Sequence, residues 1–310
     1  VESRGLGDVY KRQVIERWMR ERDVFVSAAK ELGAEVNVQN ANGDVRDQIS
    51  QIEYFIRKQV DVIVVVAGDC EALTDVMIKA REAGIKTVSY DRLIQNAGCD
   101  LYISFDNTEV GRLMARSLLE NIPDGGDIFL IQGPLTDHNV TLVREGIDET
   151  LAGSSLRVVY ESNCAGWVAE NAYTYTKEGL KQDRYVKGII CGNDDLASQA
   201  FRALSEERLA GKVYVIGQDG DLAACQRIVE GTQEMTAFKS VEQEASMAAK
   251  CAVLLGLGEE IEEARSTAYD GTYQVPYLEL QPIAVTGENM DEVIIKGGFH
   301  AKEDVYLNVN

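Results

Sequence analysis

Histidine is almost missing from this chain, with His138 and His300 the only two in 310 residues. General-base chemistry through imidazole therefore has few candidates. The familiar catalytic patterns are missing as well: no Gly-x-Ser-x-Gly elbow, no His-Glu-x-x-His, no glycine loop running into Lys-Ser/Thr. The six cysteines (Cys70, Cys99, Cys164, Cys191, Cys225 and Cys251) form no Cys-x-x-Cys pair and no metal-ligand spacing, so neither a metal nor a cofactor is expected. Cys191 and Cys251 sit in apolar runs and read as small core residues, and cysteine usage leaves the redox compartment open. Basic charge is scarce too: 31 Lys and Arg against 51 Asp and Glu give a net charge of −20, which repels polyphosphate and argues against nucleic acid. No uninterrupted apolar run reaches the roughly 18 residues of a membrane span, and no secretory signal pattern is visible.

What is present is alternation. At 310 residues and 45% hydrophobic, the chain suits two globular domains of roughly 150 residues each. Val60–Ala67 is a β-branched run too apolar for a wet face, as in a buried parallel strand. A helix is expected over Glu71–Ala83, stopped by Gly84, followed by a strand at Lys86–Tyr90. Upstream, Trp18–Leu32 and Val45–Lys58 read as helices around a short strand at Glu35–Val38. After Asp106, which is expected to form a capping box with Glu109 for a helix through Asn121, strands are expected at Ile128–Gln132, Arg157–Tyr160, Lys187–Cys191 and Lys212–Ile216. Helices near Thr141–Leu151, Val168–Lys181, Leu196–Glu207 and Leu222–Glu230 alternate with them. Strict alternation means parallel sheets with right-handed crossovers, here in two similar α/β units. Met235–Phe238 reads as a strand, Val241–Leu257 as a helix, and Val275–Ala284 as extended around Pro276 and Pro282, a tail suited to crossing between units as hinge strands.

Ligands of open α/β sheets bind beyond the carboxyl ends of the strands. Here those ends run into Asp91-Arg92, Gly192-Asn193-Asp194 and Gln218-Asp219. Carboxylates, a guanidinium and an amide supply acceptors and forked donors without an obvious nucleophile, the inventory of a binder of neutral polar molecules. Each residue also has a structural alternative. Asp91 and Arg92 could be an ion pair at a strand end. Asp219 could cap the helix near Leu222. In Asn193-Asp194 one residue could cap while the other meets ligand, with Asn193 favoured for ligand. Asp137-His138-Asn139 could serve capping alone. Trp18 and Trp167 could be half-buried surface, or they could cover the apolar face of a pyranose. Lys239 could be a solvated lysine or a donor. Gly256-Leu257-Gly258 reads as a helix stop, and Asp219-Gly220-Asp221 is only a fragment of a calcium loop.

Glu16-Arg17-Trp18, Gln39–Gly43, Gln51-Ile52-Glu53, Ala83–Ile94, Tyr102–Asn107, Gly192–Asp194, Ala203–Ser205, Gly217–Asp219, Gly231–Gln233 and Gly297–His300 together resemble the bacterial solute-binding proteins for pentoses and hexoses. The likeness is to the D-xylose-binding members that serve ABC transporters, and it spans Val14 to His300. It implies two similar doubly wound, Rossmann-like lobes of the type I periplasmic binding protein kind, joined by a multi-strand hinge. One lobe would hold 1–106 plus 239–281 and the other 107–238 plus 282–310. It implies sugar contacts from Arg17 and Trp18 in a first loop, from Asp91 and Arg92, and from Asn139, Trp167, Asn193, Asp219 and Lys239, with Asp137 weaker. The implied protein is no enzyme but a monomeric extracytoplasmic carrier, free in the periplasm or lipid-anchored, that delivers xylose or a related aldose to a membrane permease. A chemoreceptor or sensor kinase is a further partner. The effector core of a lac-repressor-like regulator is the alternative. Two departures stand out. Val1–Gln13 is polar and glycine-punctuated, as if non-native, where the family has a first strand. Gly192 and Phe238-Lys239-Ser240 differ from the residues common in the family.

Overall fold

The computed structural model describes the backbone of residues 7–309 and the side chains from Met19 onward. Helix α1 runs Gly7–Glu31, α2 Val45–Lys58, β1 Val62–Val65, α3 Thr74–Glu82, β2 Lys86–Tyr90 and β3 Leu101–Phe105. Then come α4 Asn107–Asn121, β4 Gly126–Gln132, α5 His138–Leu151, β5 Leu156–Asn163, α6 Ala169–Gln182 and β6 Gly188–Cys191. These lead to α7 Asp194–Glu206, β7 Tyr214–Gln218, α8 Leu222–Val229 and β8 Met235–Phe238. The chain ends with α9 Val241–Leu257, β9 Ser266–Tyr269, β10 Gln274–Leu280, β11 Ile283–Val285 and α10 Lys302–Val305. Two compact units result, Val1–Phe105 with Ser240–Leu280, and Asp106–Lys239 with Gln281–Asn310. The chain thus passes from one to the other after Phe105, Lys239 and Leu280.

The first unit is a sheet of order β1-β2-β3-β10-β9. Strands β1, β2 and β3 are apolar on both faces because both faces are covered. Ile63, Val65 and Tyr102 enter one core cluster, while Val88, Ile103, Phe105 and Leu278 enter the other. Successive side chains on a strand point to opposite faces, so a strand buried on both sides reads as an unbroken run. Asp44 caps α2 by accepting from Arg46 N (2.8 Å) and Asp47 N (3.2 Å).

The second unit is a sheet of order β11-β8-β7-β6-β4-β5. Asp106 caps α4 by accepting from Glu109 N at 2.9 Å, the first half of the expected box. The Glu109 carboxylate turns instead to Arg112 and Arg116 on its own helix. All six cysteines are free and buried.

Three expectations need correction. Residues 35–38 form no strand: they pair with no neighbouring strand and Val38 is exposed, and a strand exists only where a ladder partner does. Helix α1 begins at Gly7, well before Trp18, because the stretch from Asp8 to Leu32 contains neither Gly nor Pro and is rich in Arg, Lys, Glu and Ala. Alternation also overstates parallelism. β9 pairs antiparallel with β10, and β11 pairs antiparallel with β8, each beside a tail segment that returns without a crossover helix.

Candidate functional site

In the second unit five parallel strands lie side by side in the order β8-β7-β6-β4-β5. Parallel strands put all their carboxyl ends along one edge, and each end carries an expected residue. Lys239 follows β8, Asp219 follows β7, and Asn193 follows β6. Asp137 and Asn139 open α5 after β4, and Trp167 follows β5.

Trp167 is held from three sides. Its Nε1 donates to Asp137 Oδ2 at 3.2 Å, while Asp137 Oδ1 accepts from Asn139 N at 3.1 Å. One carboxylate thus caps α5 and fixes the indole, so its role exceeds capping. Beneath the ring lie Gly133 and Gly192, where any Cβ would meet the indole, overlapping it outright at Gly133. The Gly133 carbonyl is in turn fixed by Asn163 Nδ2 at 2.8 Å. Trp167 itself sits at φ 58, a left-handed conformation unusual for a bulky residue, at the end of a short helical turn over Ala165–Trp167. A side chain at Gly192 would crowd the Gly133 backbone nitrogen first, at 2.9 Å, and then the indole, at 3.1 Å.

Asn193 and Asp194 divide their work differently from the expectation. Asn193 is the cap of α7, its Oδ1 accepting from Leu196 N at 2.9 Å, so the residue favoured for ligand also has the capping role. The NH2 end of the same half-buried amide remains a donor. Asp194 is fully buried. Its Oδ2 accepts from Gly220 N (2.9 Å), Asp221 N (3.1 Å) and Thr236 Oγ1 (2.7 Å), and its Oδ1 accepts from Gln233 Nε2 (3.0 Å). Burial pushes the Asp194 carboxyl upward, while the hydrogen bonds from Thr236 and Gln233 and the nearby Arg227 hold it toward the anion. Burial, then the nearby Asp219, likewise raise Asp195 to about 6.

Asp219 does not cap α8. That position belongs to Asp221, whose side chain makes no cap bond. Asp219 stands at φ 103 with its backbone N bonded to Ala237 O at 3.0 Å, in a turn fixed on all sides. Lys239 is buried rather than solvated, at 4% exposure.

In the first unit Asp91 and Arg92 stand directly after β2. Asp91 adopts φ 60, and its carbonyl accepts from Ser104 Oγ at 2.8 Å while its N donates to Ile103 O at 2.8 Å. Arg92 Nη1 reaches Ala67 O, just past β1, at 2.9 Å. Its Nε lies 3.7 Å from Asp91 Oδ2. The ion pair considered from sequence exists, but it is loose. An open depression of about 290 Å3 elsewhere in this unit, lined by Gln39, Asp47, Ser50, Gln51 and Tyr54, contains none of these residues.

A family model described as a periplasmic binding protein domain matches residues 8–260. The chain belongs to the periplasmic binding protein family. This family member is 43% identical over 297 residues to the D-xylose-binding periplasmic protein of Haemophilus influenzae, covering 94% of this chain and 89% of the relative. It is 40% identical over 296 residues to the protein of that name from Escherichia coli, with the same coverage. Among solved structures it is similar to an ABC transporter solute binding protein from Clostridium phytofermentans with bound β-D-glucose. There the TM-score is 0.85 at 25% identity, over 94% of this chain and 97% of that one.

In this periplasmic binding protein Arg17 and Trp18 fall within helix α1 rather than in a loop, and their side chains lie outside the described residues. Sequence reasoning missed the glycine seat of Trp167 at Gly133 and the bracing of the 219–221 turn by Asp194, Gln233 and Thr236. Gly133 offered a faint signal as the residue between a strand and Pro134. Gln233 and Thr236 offered none, because their partner lies about forty positions upstream.

Proposed function

We propose that this chain captures a monosaccharide, D-xylose in the first place, outside the cytoplasm and delivers it to an ABC permease without making or breaking a bond. Each unit supplies candidate contacts, and the ligand-bound form is what the permease recognises. The observation that carries the reading is the row of expected contacts along one edge of five parallel strands in the second unit. Identities of 43% and 40% to two D-xylose-binding proteins across 94% of the chain support the choice of sugar.

The roles follow from chemistry. The carboxylates of Asp91 and Asp219 accept from hydroxyls, and Arg92, Lys239 and the Asn193 amide donate. Trp167 covers the C–H face of the ring. Asn139 borders the plate through its backbone bond to Asp137. Arg17 and Trp18 complete the proposed set. None of the relatives named above is a transcription regulator, and a chemoreceptor or sensor kinase as a second recipient belongs to the same proposal.

The test is a thermal-shift and calorimetric panel of D-xylose, D-glucose, D-ribose, L-arabinose and D-galactose. A ligand that binds only the folded state raises the melting temperature. D-xylose is expected to give the largest shift. No shift with any of the five sugars defeats the reading.

A further inference from the structure

We propose that Asp194 is a positioning residue for Asp219, acting through a hydrogen-bond relay whose direction is set by Arg227. The inference rests on the reading of Asp219 as a sugar contact.

The relay begins in the body of the second unit. Arg227 is buried on α8, and its guanidinium lies over the Phe201 ring at 5.6 Å. Its Nε can only donate, and it donates to Gln233 Oε1 at 2.9 Å. That bond fixes the amide of Gln233, so the end facing Asp194 is the Nε2 donor, 3.0 Å from Oδ1. Asp194 Oδ1 must therefore accept. Oδ2 must accept as well, because it faces the N–H groups of Gly220 and Asp221 and the hydroxyl of Thr236. Only a group with two acceptor ends satisfies all of these donors, and that group is a carboxylate. Asparagine has the same shape and the wrong polarity on one side.

The carboxylate has no room to turn away. Gly217 on β7 lies so close to Oδ1 that any Cβ there would overlap it. The two amides that Oδ2 holds belong to the residues directly after Asp219. From the other side the turn is held by Asp219 N on Ala237 O (3.0 Å) and by His300 Nε2 at 2.8 Å from Gly220 O. Asp219 stands at φ 103, outside the conformations an aspartate normally prefers, and such a residue persists only where its surroundings over-determine it. Asp194 is the part of those surroundings that bonds both following amides. It need not touch sugar to govern how the Asp219 carboxylate is presented.

The test moves the charge along the relay. Asp194→Asn places an NH2 against the Gln233 Nε2. Adding Gln233→Glu restores a consistent direction: Arg227 Nε–H to one glutamate oxygen, Asn Nδ2–H to the other, and the asparagine oxygen left for the turn. The rescue gives up the 3.3 Å bond from Gln233 Nε2 to Met235 O, so it is incomplete. D-xylose affinity by calorimetry and melting temperature are measured for the wild type, both single variants, the double variant, and Asp219→Ala with and without Asp194→Asn. Asp194→Asn is expected to weaken binding at least about tenfold, a loss the size of one charge-assisted hydrogen bond, and the double variant to regain at least about threefold. In the Asp219→Ala background, Asp194→Asn is expected to cost less than about twofold, because the residue it positions is gone.

Wild-type protein that binds no monosaccharide overturns the functional reading itself. Wild-type binding with an unchanged Asp194→Asn variant overturns the relay alone. A full loss from Asp194→Asn in the Asp219→Ala background overturns the action through Asp219. If Asp194→Asn does not fold, the double variant decides: folding and binding support the relay, and failure of either overturns it.

Discussion

The two polar clusters obey the same strand-end rule but are braced to different degrees. In the first unit, Asp91 and Arg92 are neighbours in sequence, tied to the ends of β1 and β3 by Ala67 O, Ser104 Oγ and Ile103 O. In the second, residues from Asp137 to Lys239 come together along five strand ends, and the groups behind them are themselves bonded in series. The first arrangement is a short local hinge of charge; the second is a scaffold in which one substitution displaces several groups. The cost of a substitution should therefore depend on what braces the residue more than on whether it meets the ligand.

The largest effects are expected where a charged contact is removed. Asp219→Ala and Arg92→Ala should each weaken D-xylose binding by roughly tenfold to over a hundredfold, read by calorimetry. Unchanged affinity in either variant would remove that cluster from the site. Next comes Gly133→Ala, which touches no charge yet drives a methyl group into the Trp167 indole. Overpacking of this kind costs about 1–3 kcal/mol, so at least a fivefold loss of affinity is expected. An equivalent loss in a Trp167→Ala background would refute the indole as the intermediary. Asp137→Asn should cost less, about threefold to tenfold, since the amide retains an acceptor for either the cap or the indole but not for both.

A pH series sharpens the contrast further. Asp195 has its folded pKa raised to about 6 by burial and by Asp219. Its contribution favours the folded state fully below the ordinary carboxylate range and is lost as pH rises through about 6. Denaturant stability should fall by up to about 3 kcal/mol between pH 4 and 7 from this group, on top of a fall in the same direction from Asp194, so Asp195→Asn should reduce the slope without abolishing it. A slope unchanged in that variant would assign the titration to another residue. The smallest expected effect on binding lies outside both clusters. Asp106→Ala removes the α4 cap, costing about 1 kcal/mol of stability with sugar affinity intact.

The sequence made much of the fold legible. β2, β8 and α9 begin and end where apolar run, capping serine and glycine stop say they should. The antiparallel edges β9 and β11 were less visible, because β9 is exposed and β11 is only three residues long, too short to leave a pattern. Residues 35–38 alternate like a strand, and only the absence of a ladder there distinguishes them. At the site, residue type and position after a strand pointed to Asp91, Arg92, Asn193 and Asp219. Spacing could not say that Asn193 caps while Asp194 holds a turn some twenty-five residues onward. Nor could it show that Gly133 and Gly192 share one aromatic neighbour. Such facts depend on lateral strand order, which local pattern does not encode.

The six buried, unbridged thiols carry a consequence for the route by which the chain is made. Burial pushes Cys164 up to about 12 and Cys251 to about 11, and it raises Cys99, Cys191 and Cys225 as well. A thiol so far from ionising is a poor partner for oxidants, so the mature molecule should be inert where disulfides form. Before it matures, the same six sulfurs are exposed and could join in 15 full pairings, none of them native. For a protein at work beyond the cytoplasm, as proposed here, quick burial after export then does the protective work that a native crosslink does elsewhere.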